Sequence, residues 1–207
     1  MTQPEAMALA TFMLASRRYL EWGSGGSTVL AAWRSLQRNV SRFVVHSVEN
    51  SWEYFRALKQ QHTVVHKAIE AGFLTHTIPH LGTTGQWGRP TNWSALDVAT
   101  RRARSHAYYS PAGVVCCFDT ILIDGRFRQA CLLQALHLSH DHTLVLLHDN
   151  VVDKERDYRP TVRKWYDHLA QHGTLSVLRP KQRSILAARV KSLELISDTV
   201  AVSDEFM

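Results

Sequence analysis

The stretch that decides the fold is Tyr19-Leu20-Glu21-Trp22-Gly23-Ser24-Gly25-Gly26-Ser27-Thr28. It begins as an apolar strand, turns through three glycines and continues into a helix that starts near Ser27 or Thr28. Glycine tolerates positive φ and lets the backbone approach a ligand closely, while the first turn of a helix offers free N–H groups. The stretch therefore predicts a strand, loop and helix unit that binds a small molecule at its turn.

Two acidic residues narrow the kind of ligand. Glu21 lies two residues before Gly23, where a carboxylate can accept hydrogen bonds from an ammonium group but would repel a pyrophosphate. Glu49 ends the next apolar run, and an acid at that place can bind both hydroxyls of a ribose. A dinucleotide fingerprint has its third glycine where this chain has Thr28. The pattern favours a nucleoside with an amino-acid part over a dinucleotide.

Strand-like and helix-like runs alternate along the chain, which predicts a mostly parallel sheet. The seven strand-like runs are residues 19–22, 43–48, 73–78, 114–123, 143–147, 175–178 and 184–190. The helix-length runs between the earlier ones are residues 28–37, 52–61, 94–109 and 129–139. Only residues 179–183 separate the last two strand-like runs. A connection this short cannot hold a crossover helix, so we predict an antiparallel hairpin at the end of the sheet.

Composition indicates one folded domain over residues 1–207. Of the 207 residues, 45% are hydrophobic, which is enough for a real core. The net charge of +6 suits an anionic partner, but many soluble enzymes carry a similar excess. The three cysteines include no C-x-x-C pair, so we expect neither a disulfide scaffold nor a zinc site, and a reducing, cytoplasmic compartment.

An apolar run at residues 6–15 has the length of a signal peptide but not its flanking residues, and it is too short to span a bilayer. We expect a helix that covers one edge of the sheet, and no membrane association. The sequence does not indicate the oligomeric state.

The segment from Leu20 to Thr28 resembles the first motif of the class I S-adenosylmethionine-dependent methyltransferases, and Glu49 matches the second motif. The resemblance extends to the predicted hairpin and covers most of the chain. It implies a Rossmann-like α/β fold, with a seven-stranded, mostly parallel sheet, a C-terminal antiparallel hairpin and helices on both faces. It also implies S-adenosylmethionine as the cofactor. The residues that would bind it are Glu21, Trp22, Gly23, Ser24, Gly25, Ser27, Glu49, Asn50, Trp52 and Asp124.

Polar residues follow two of the predicted strands, at the edge where ligands bind in open α/β sheets. The segments are Asp124-Gly125-Arg126-Phe127-Arg128 and His148-Asp149-Asn150. This pairing is similar to the catechol-type, metal-dependent O-methyltransferases. The similarity implies that Asp124, Asp149 and Asn150 bind a divalent cation such as Mg²⁺, which would activate an acceptor hydroxyl. The alternative is that Asp124 and Asp149 cap the following helices or pair with Arg126 and Arg128.

The chain departs from the catechol-type pattern at the catalytic base. The family's lysine, three residues after the first aspartate, is replaced by Phe127. We expect His148 to act as the base instead, because imidazole titrates near neutral pH. The predicted catalytic residues are thus Asp124, His148 and Asp149. The same segments also resemble a group of eukaryotic and viral methyltransferase-like proteins without a settled substrate.

The long irregular segment at residues 80–93 predicts a binding loop or lid, with a surface insertion as the alternative. Its Trp87 and Trp93 could contact an acceptor, and Arg126 and Arg128 could hold an anionic or polyhydroxylated one. We therefore expect O-methylation of a sugar or other small polar molecule. Two alternatives remain open: an RNA methyltransferase with a basic surface, and a nucleoside-binding module without catalysis.

Overall fold

The computed structural model describes residues 1–37, 42–85, 88–150 and 157–190. A short 3-10 helix at Trp93–Ala95 precedes α5. In chain order the other elements are α1 (Gln3–Ala15), β1 (Arg18–Trp22), α2 (Gly26–Ser35), β2 (Val44–Val48), α3 (Trp52–Gln61), α4 (Thr63–Glu70), β3 (Leu74–Thr77), α5 (Val98–Tyr109), β4 (Phe118–Ile123), α6 (Arg128–His137), β5 (Ser139–Leu147), α7 (Arg159–Trp165), β6 (Tyr166–His172), β7 (Leu175–Pro180) and α8 (Gln182–Val190).

The seven strands form one sheet in the order β3-β2-β1-β4-β5-β7-β6. The first five strands are parallel, whereas β7 runs antiparallel to both β5 and β6. The strand order reverses between β1 and β4, because the chain first builds outward from β1 to β3 and then returns to the other side of β1. Such a switch point opens a crevice at the carboxyl ends of the strands, where ligands bind in open α/β sheets.

Helices cover both faces of the sheet, and each face has its own apolar core. Side chains along a strand point alternately to opposite faces. On β4, Ile121 and Ile123 join the core beneath α5, α6 and α8, whereas Leu122 joins the core beneath α1 to α4. Tyr19 on β1 belongs to the second core and Leu20 to the first. This alternation places Glu21 on the same face as Tyr19, under the start of α2.

The predicted helix at residues 6–15 is part of α1, which begins at Gln3. The buried side chain of Glu5 accepts a hydrogen bond of 2.5 Å from the backbone N–H of Thr2 and so caps the helix start. At the other end, the guanidinium of Arg34 donates to the carbonyls of Met13, Leu14 and Ser16. Across the described ranges, every helix is too short or too polar to cross a bilayer.

One predicted strand is wrong. Residues 184–190 belong to helix α8, where Ile185 and Ala188 are buried three residues apart, as the helical period requires. The antiparallel hairpin exists, but it pairs β7 with the preceding strand β6 across a turn at Gly173, whose φ is +59°. Because β6 is an edge strand and mostly exposed, it carries few apolar residues and gave no strand signal.

The adjacent residues Cys116 and Cys117 are joined through their sulfur atoms, whereas the sequence predicted no disulfide scaffold. A bridge between neighbours closes no loop of chain, so it does not act as a scaffold. Cys131 is a free, buried thiol in α6.

Replacing Arg34 with Met should destabilise the fold by about 2 kcal/mol, because three carbonyls at the end of α1 would lose charged donors in a buried place. The aliphatic stem would still cover the ring of Phe43, over which the guanidinium now lies at 4.2 Å. Urea unfolding measures the difference. Arg17→Met, at an exposed position, should change the free energy of unfolding by less than about 0.5 kcal/mol. Equal losses in both variants would contradict a specific role for Arg34.

Candidate active site

The glycine loop after β1 packs directly against the end of β4. Gly23 has a φ of +97°, and a Cβ atom there would lie 2.8 Å from the backbone carbon of Asp124. The backbone N–H of Gly23 donates to the carbonyl of Val48 at 2.8 Å, and that of Asp124 donates to the carbonyl of Trp22 at 2.9 Å. The ends of β1, β2 and β4 are thus joined at the loop, and only glycine fits between them.

Glu21 supports the loop from beneath. Its buried carboxylate accepts hydrogen bonds from the hydroxyls of Ser47 at 2.7 Å, Tyr19 at 3.1 Å and Thr28. Thr28 in turn accepts a hydrogen bond of 2.9 Å from the backbone N–H of Gly25. Burial raises the pKa of Glu21, while these hydroxyls act in the opposite direction. Although we expected Glu21 to face the cofactor, it is not in the cavity wall described below, because it points under α2.

Glu49 is buried at the end of β2 and faces the crevice. Its carboxylate accepts hydrogen bonds from the backbone N–H groups of Ser24 at 3.1 Å and Ser51 at 2.9 Å. Burial raises the pKa of Glu49, and these amides together with the charge of Arg126 oppose the rise. The side chain of the next residue, Asn50, donates to the carbonyl of Gly88 at 2.8 Å and so ties the loop at residues 80–93 to the crevice.

A cavity of about 1150 Å³ opens at the carboxyl edge of the sheet, where β1, β2, β4 and β5 end. It contains most of the predicted cofactor-binding and catalytic residues. The predicted residues in its wall are Gly23, Ser24, Gly25, Ser27, Glu49, Asn50, Asp124, Arg126, Arg128, His148 and Asp149. Trp22 and Trp52 are not in this wall. Trp22 is buried in the core with its indole N–H donating to the carbonyl of Tyr108, and Trp52 is 49% exposed.

Arg128 joins the two carboxylates at the ends of β4 and β5. Its Nη2 atom lies 3.2 Å from Asp124 and 3.3 Å from Asp149, while Nη1 donates to the carbonyl of His148 at 2.7 Å and Nε to that of Gly125. All three nitrogens therefore donate to the protein. Arg128, which we predicted as a contact to the acceptor, lies in the cavity wall and also pairs with both carboxylates, as the ion-pair alternative proposed.

His148 is surrounded by acidic groups. Its Nδ1 atom is 2.9 Å from an oxygen of Asp124 and 3.5 Å from one of Asp149, and its Nε2 atom is 3.5 Å from an oxygen of Glu5. Burial lowers the pKa of His148, but the hydrogen bond and charge of Asp124, with the charges of Asp149 and Glu5, raise it above the usual value. The buried Nε2 atom has no hydrogen-bond partner, and it faces Glu5 within the protein.

The predicted metal ligands are only partly brought together. Asp124, His148 and Asp149 place one potential ligand atom each within 4.8 Å of one another. The side-chain N–H of Asn150 instead donates to the hydroxyl of Ser176 at 2.7 Å, and Asn150 is not in the cavity wall. One oxygen of Asp124 and one oxygen of Asp149 already accept hydrogen bonds from the guanidinium of Arg128. The donor set thus resembles an ion-pair network more than a magnesium site.

Two non-glycine residues at the crevice have a left-handed backbone conformation. Phe127 has a φ of +49° and Asp149 a φ of +53°. Such conformations are uncommon outside glycine and cluster at functional sites. Phe127, which stands where the catechol-type enzymes have lysine, packs its ring against Trp93 at 5.5 Å and Tyr108 at 5.7 Å.

The predicted aromatic contacts to an acceptor divide into two cases. Trp93 is buried and packs into the core against Phe127, so it does not line the cavity. Trp87 lies outside the described residues. Tyr54 and Tyr158 also line the cavity, and neither was predicted as a site residue. Tyr54 lies on α3 and Tyr158 directly before α7, and no sequence motif marks either of them.

No protein-family model and no curated protein matches the chain. Solved structures do. A methyltransferase-like protein from Silicibacter pomeroyi matches with a TM-score of 0.65 and 24% identity, covering 90% of this chain and 92% of that one. A methyltransferase from Geobacter sulfurreducens matches with a TM-score of 0.56 and 9% identity, covering 87% of this chain and 80% of that one. A Klebsiella pneumoniae protein inferred to be an O-methyltransferase matches with a TM-score of 0.50 and 17% identity, covering 86% of this chain and 80% of that one.

This chain has a methyltransferase fold. The predicted Rossmann-like architecture of a seven-stranded sheet with an antiparallel hairpin is thereby confirmed, although β6 takes the place of the strand predicted at residues 184–190. Within the methyltransferase fold, the cavity occupies the switch-point crevice between β1 and β4 and extends to the end of β5.

The charge of His148 should make stability depend on pH. Because its folded-state pKa is raised above 6.5, the imidazolium contributes stability that is fully present below about pH 6.5 and is lost as pH rises through the folded-state pKa. The difference in unfolding free energy between the wild type and His148→Asn should therefore shrink between about pH 6 and pH 9. Urea unfolding across this range measures it. Gln60→Asn, at an exposed position without a titrating group, should show no such trend, and a difference that grows with pH would mean a neutral imidazole of His148 in the folded protein.

Proposed function

We propose that this protein is an S-adenosylmethionine-dependent methyltransferase that methylates a hydroxyl oxygen of a small polar acceptor, such as a sugar. The observation that carries the proposal is one continuous cavity, whose wall contains the glycine loop and Glu49 together with Asp124, His148 and Asp149. A donor and an acceptor could therefore bind next to each other. The fold shared with methyltransferases and the O-methyltransferase inferred for one similar structure agree with this.

Glu49 fits a ribose. A carboxylate oxygen has two lone pairs, and each oxygen of Glu49 accepts one hydrogen bond, from Ser24 or from Ser51. One lone pair per oxygen remains, so the two neighbouring hydroxyls of a ribose can donate to the two oxygens together. The glycine loop would contact the amino-acid part of the donor, with Glu21 fixing the loop rather than touching the ligand.

The bound donor would supply a methyl group on a positively charged sulfur. The acceptor oxygen must then lie in line with that methyl group, which is a matter of positioning by the protein. As the new carbon–oxygen bond forms and the carbon–sulfur bond breaks, the hydroxyl proton must leave. We assign it to Asp149, whose side chain is 40% exposed, compared with 29% for Asp124. His148 is unsuited, because Nδ1 is bound to Asp124 and the buried Nε2 faces Glu5.

The position of Arg128 supports a reaction without a divalent cation. Its guanidinium lies between Asp124 and Asp149, the two carboxylates that the metal hypothesis needs. A cation would have to displace this charge. We therefore propose that Arg128 and His148 hold the carboxylates in place and that Asp149 alone receives the proton.

S-adenosylhomocysteine should bind and raise the unfolding temperature. At one hundred times its Kd, a ligand of the folded state adds about 2.7 kcal/mol. Gly23→Val should weaken the binding at least about tenfold in calorimetry, because its Cβ atom would meet Asp124 and its positive φ is strongly disfavoured. Gly113→Val is the matched control, since Gly113 has a φ of +80° and open space around it. If the wild type does not bind S-adenosylhomocysteine at millimolar concentration, the proposal is refuted.

Turnover should survive exhaustive chelation but not the loss of Asp149. With a labelled methyl donor and a panel of hydroxyl acceptors, Asp149→Asn should lower kcat about 10²-fold to 10⁴-fold, while affinity for S-adenosylhomocysteine stays within about twofold. Asp141→Asn, an exposed position on β5, should retain full activity. Activity that chelation abolishes and Mg²⁺ restores would reinstate the metal mechanism. Donor binding without turnover of any acceptor would favour the non-catalytic module.

A further inference from the structure

Helix α1 contributes apolar side chains to the wall of the candidate active site. Ala6 and Leu9 both line the cavity, and because they are three residues apart they lie on one face of the helix. Leu30 on α2, the helix that packs beside α1, lines the cavity as well. These three side chains carry no polar atom, so they can contact a ligand only through its apolar groups. The proposed proton transfer makes no use of them.

This apolar part of the wall adjoins the residues proposed to receive the proton. Glu5 directly precedes Ala6, and its carboxylate lies 3.5 Å from Nε2 of His148. The hydroxyl of Thr174 lies 2.8 Å from an oxygen of Glu5 and 3.5 Å from an oxygen of Asp149. Glu5 is itself buried and is not in the cavity wall. What α1 presents to the cavity near Asp149 is therefore the methyl group of Ala6 and not a carboxylate.

A second apolar surface comes from the segment after β4. Phe127 lines the cavity, and the guanidinium of the next residue, Arg128, lies 3.3 Å from Asp149. The ring of Phe127 is held edge-on against Tyr108, with 5.7 Å between the ring centroids. A lysine at this position, as in the catechol-type enzymes, would bring a charge, whereas phenylalanine brings hydrocarbon. Apolar side chains from two separate elements thus lie near Asp149.

The cavity has room for more than the donor. Its volume of about 1150 Å³ exceeds the roughly 300–1,000 Å³ of a pocket that holds one drug-sized ligand. A second molecule that is larger than a single small polar group can therefore bind beside the donor.

We infer that the acceptor is amphipathic, with a hydroxyl-bearing polar head that carries an alkyl or aryl group, as in an alkyl or aryl glycoside. The apolar group contacts Ala6, Leu9 and Leu30, while a hydroxyl of the head gives its proton to Asp149. This inference rests on the proposed function and names its class of substrate. Removing hydrocarbon from water against an apolar wall strengthens binding by roughly threefold for each buried methylene. Such a contact distinguishes this acceptor from an unsubstituted sugar.

The test uses the full chain saturated with S-adenosylhomocysteine and compares matched glucosides by calorimetry. The probes are hexyl β-glucoside and phenyl β-glucoside, each against methyl β-glucoside, together with 1-hexanol alone. At least one of the two larger glucosides should bind at least about tenfold more tightly than methyl β-glucoside. The glucoside with the larger gain distinguishes an alkyl site from an aryl site. 1-Hexanol should compete with hexyl β-glucoside if the site takes the alkyl group.

Ala6→Leu tests the position of the apolar group. The larger side chain fills the space next to Leu9, so the gain from the hexyl or phenyl group should fall at least about fivefold. Affinity for S-adenosylhomocysteine should stay within about twofold, because the donor lies elsewhere in the cavity. Ala15→Leu is the matched control, since Ala15 is an exposed residue at the other end of α1, and it should leave the gain unchanged.

Three results would overturn the inference. One is equal affinity for all three glucosides, or no binding of any apolar probe. Another is a loss of S-adenosylhomocysteine affinity in Ala6→Leu, because the apolar wall would then belong to the donor site. The third is an equal loss of the gain in Ala6→Leu and Ala15→Leu. The glucoside comparison uses the wild type, so it decides even if a variant does not fold. Failure of S-adenosylhomocysteine to bind refutes the proposed function separately, since the glucosides can be titrated against the free protein.

Discussion

Beneath the glycine loop, the buried carboxylate of Glu21 accepts hydrogen bonds from hydroxyls on three elements: Tyr19 on β1, Thr28 on α2 and Ser47 on β2. A carboxylate without water is costly unless such donors surround it. The donors can do so only when α2 and β2 take their observed places beside β1. Glu21 thereby fixes where α2 begins, and through Thr28 it also fixes the amide of Gly25.

The other half of the crevice depends on charge rather than on close packing. Arg128 connects the end of β4 to the end of β5, and His148 connects both to Glu5 on α1. Neither cation needs a ligand to be held in place. The carboxylates of Asp124 and Asp149 are therefore ordered before any acceptor arrives, which lowers the entropic cost of aligning the reacting groups. The left-handed backbone of Asp149 is part of this ordering.

Local spacing was enough to predict the glycine loop, Glu49 and the polar ends of β4 and β5, because each motif is continuous in sequence. It was not enough to orient Glu21, since the face to which a strand residue points depends on which helix covers it. Trp93 was predicted to contact an acceptor from a loop, but it packs on Phe127, a partner 34 positions away that no periodicity reveals. The edge strand β6 was missed because exposed strands lack an apolar pattern.

Glu5 caps the start of the apolar helix α1, and it also borders the site through a contact that spans most of the sequence. Its carboxylate accepts hydrogen bonds from the backbone and the hydroxyl of Thr174, a separation of 169 positions. Contacts between such distant segments form late in folding, because a long loop must close first. During synthesis, Glu5 leaves the ribosome 169 residues before Thr174 and cannot make these hydrogen bonds until the turn between β6 and β7 has emerged. Until then, nothing from this turn holds the carboxylate of Glu5 in its place beside Nε2 of His148.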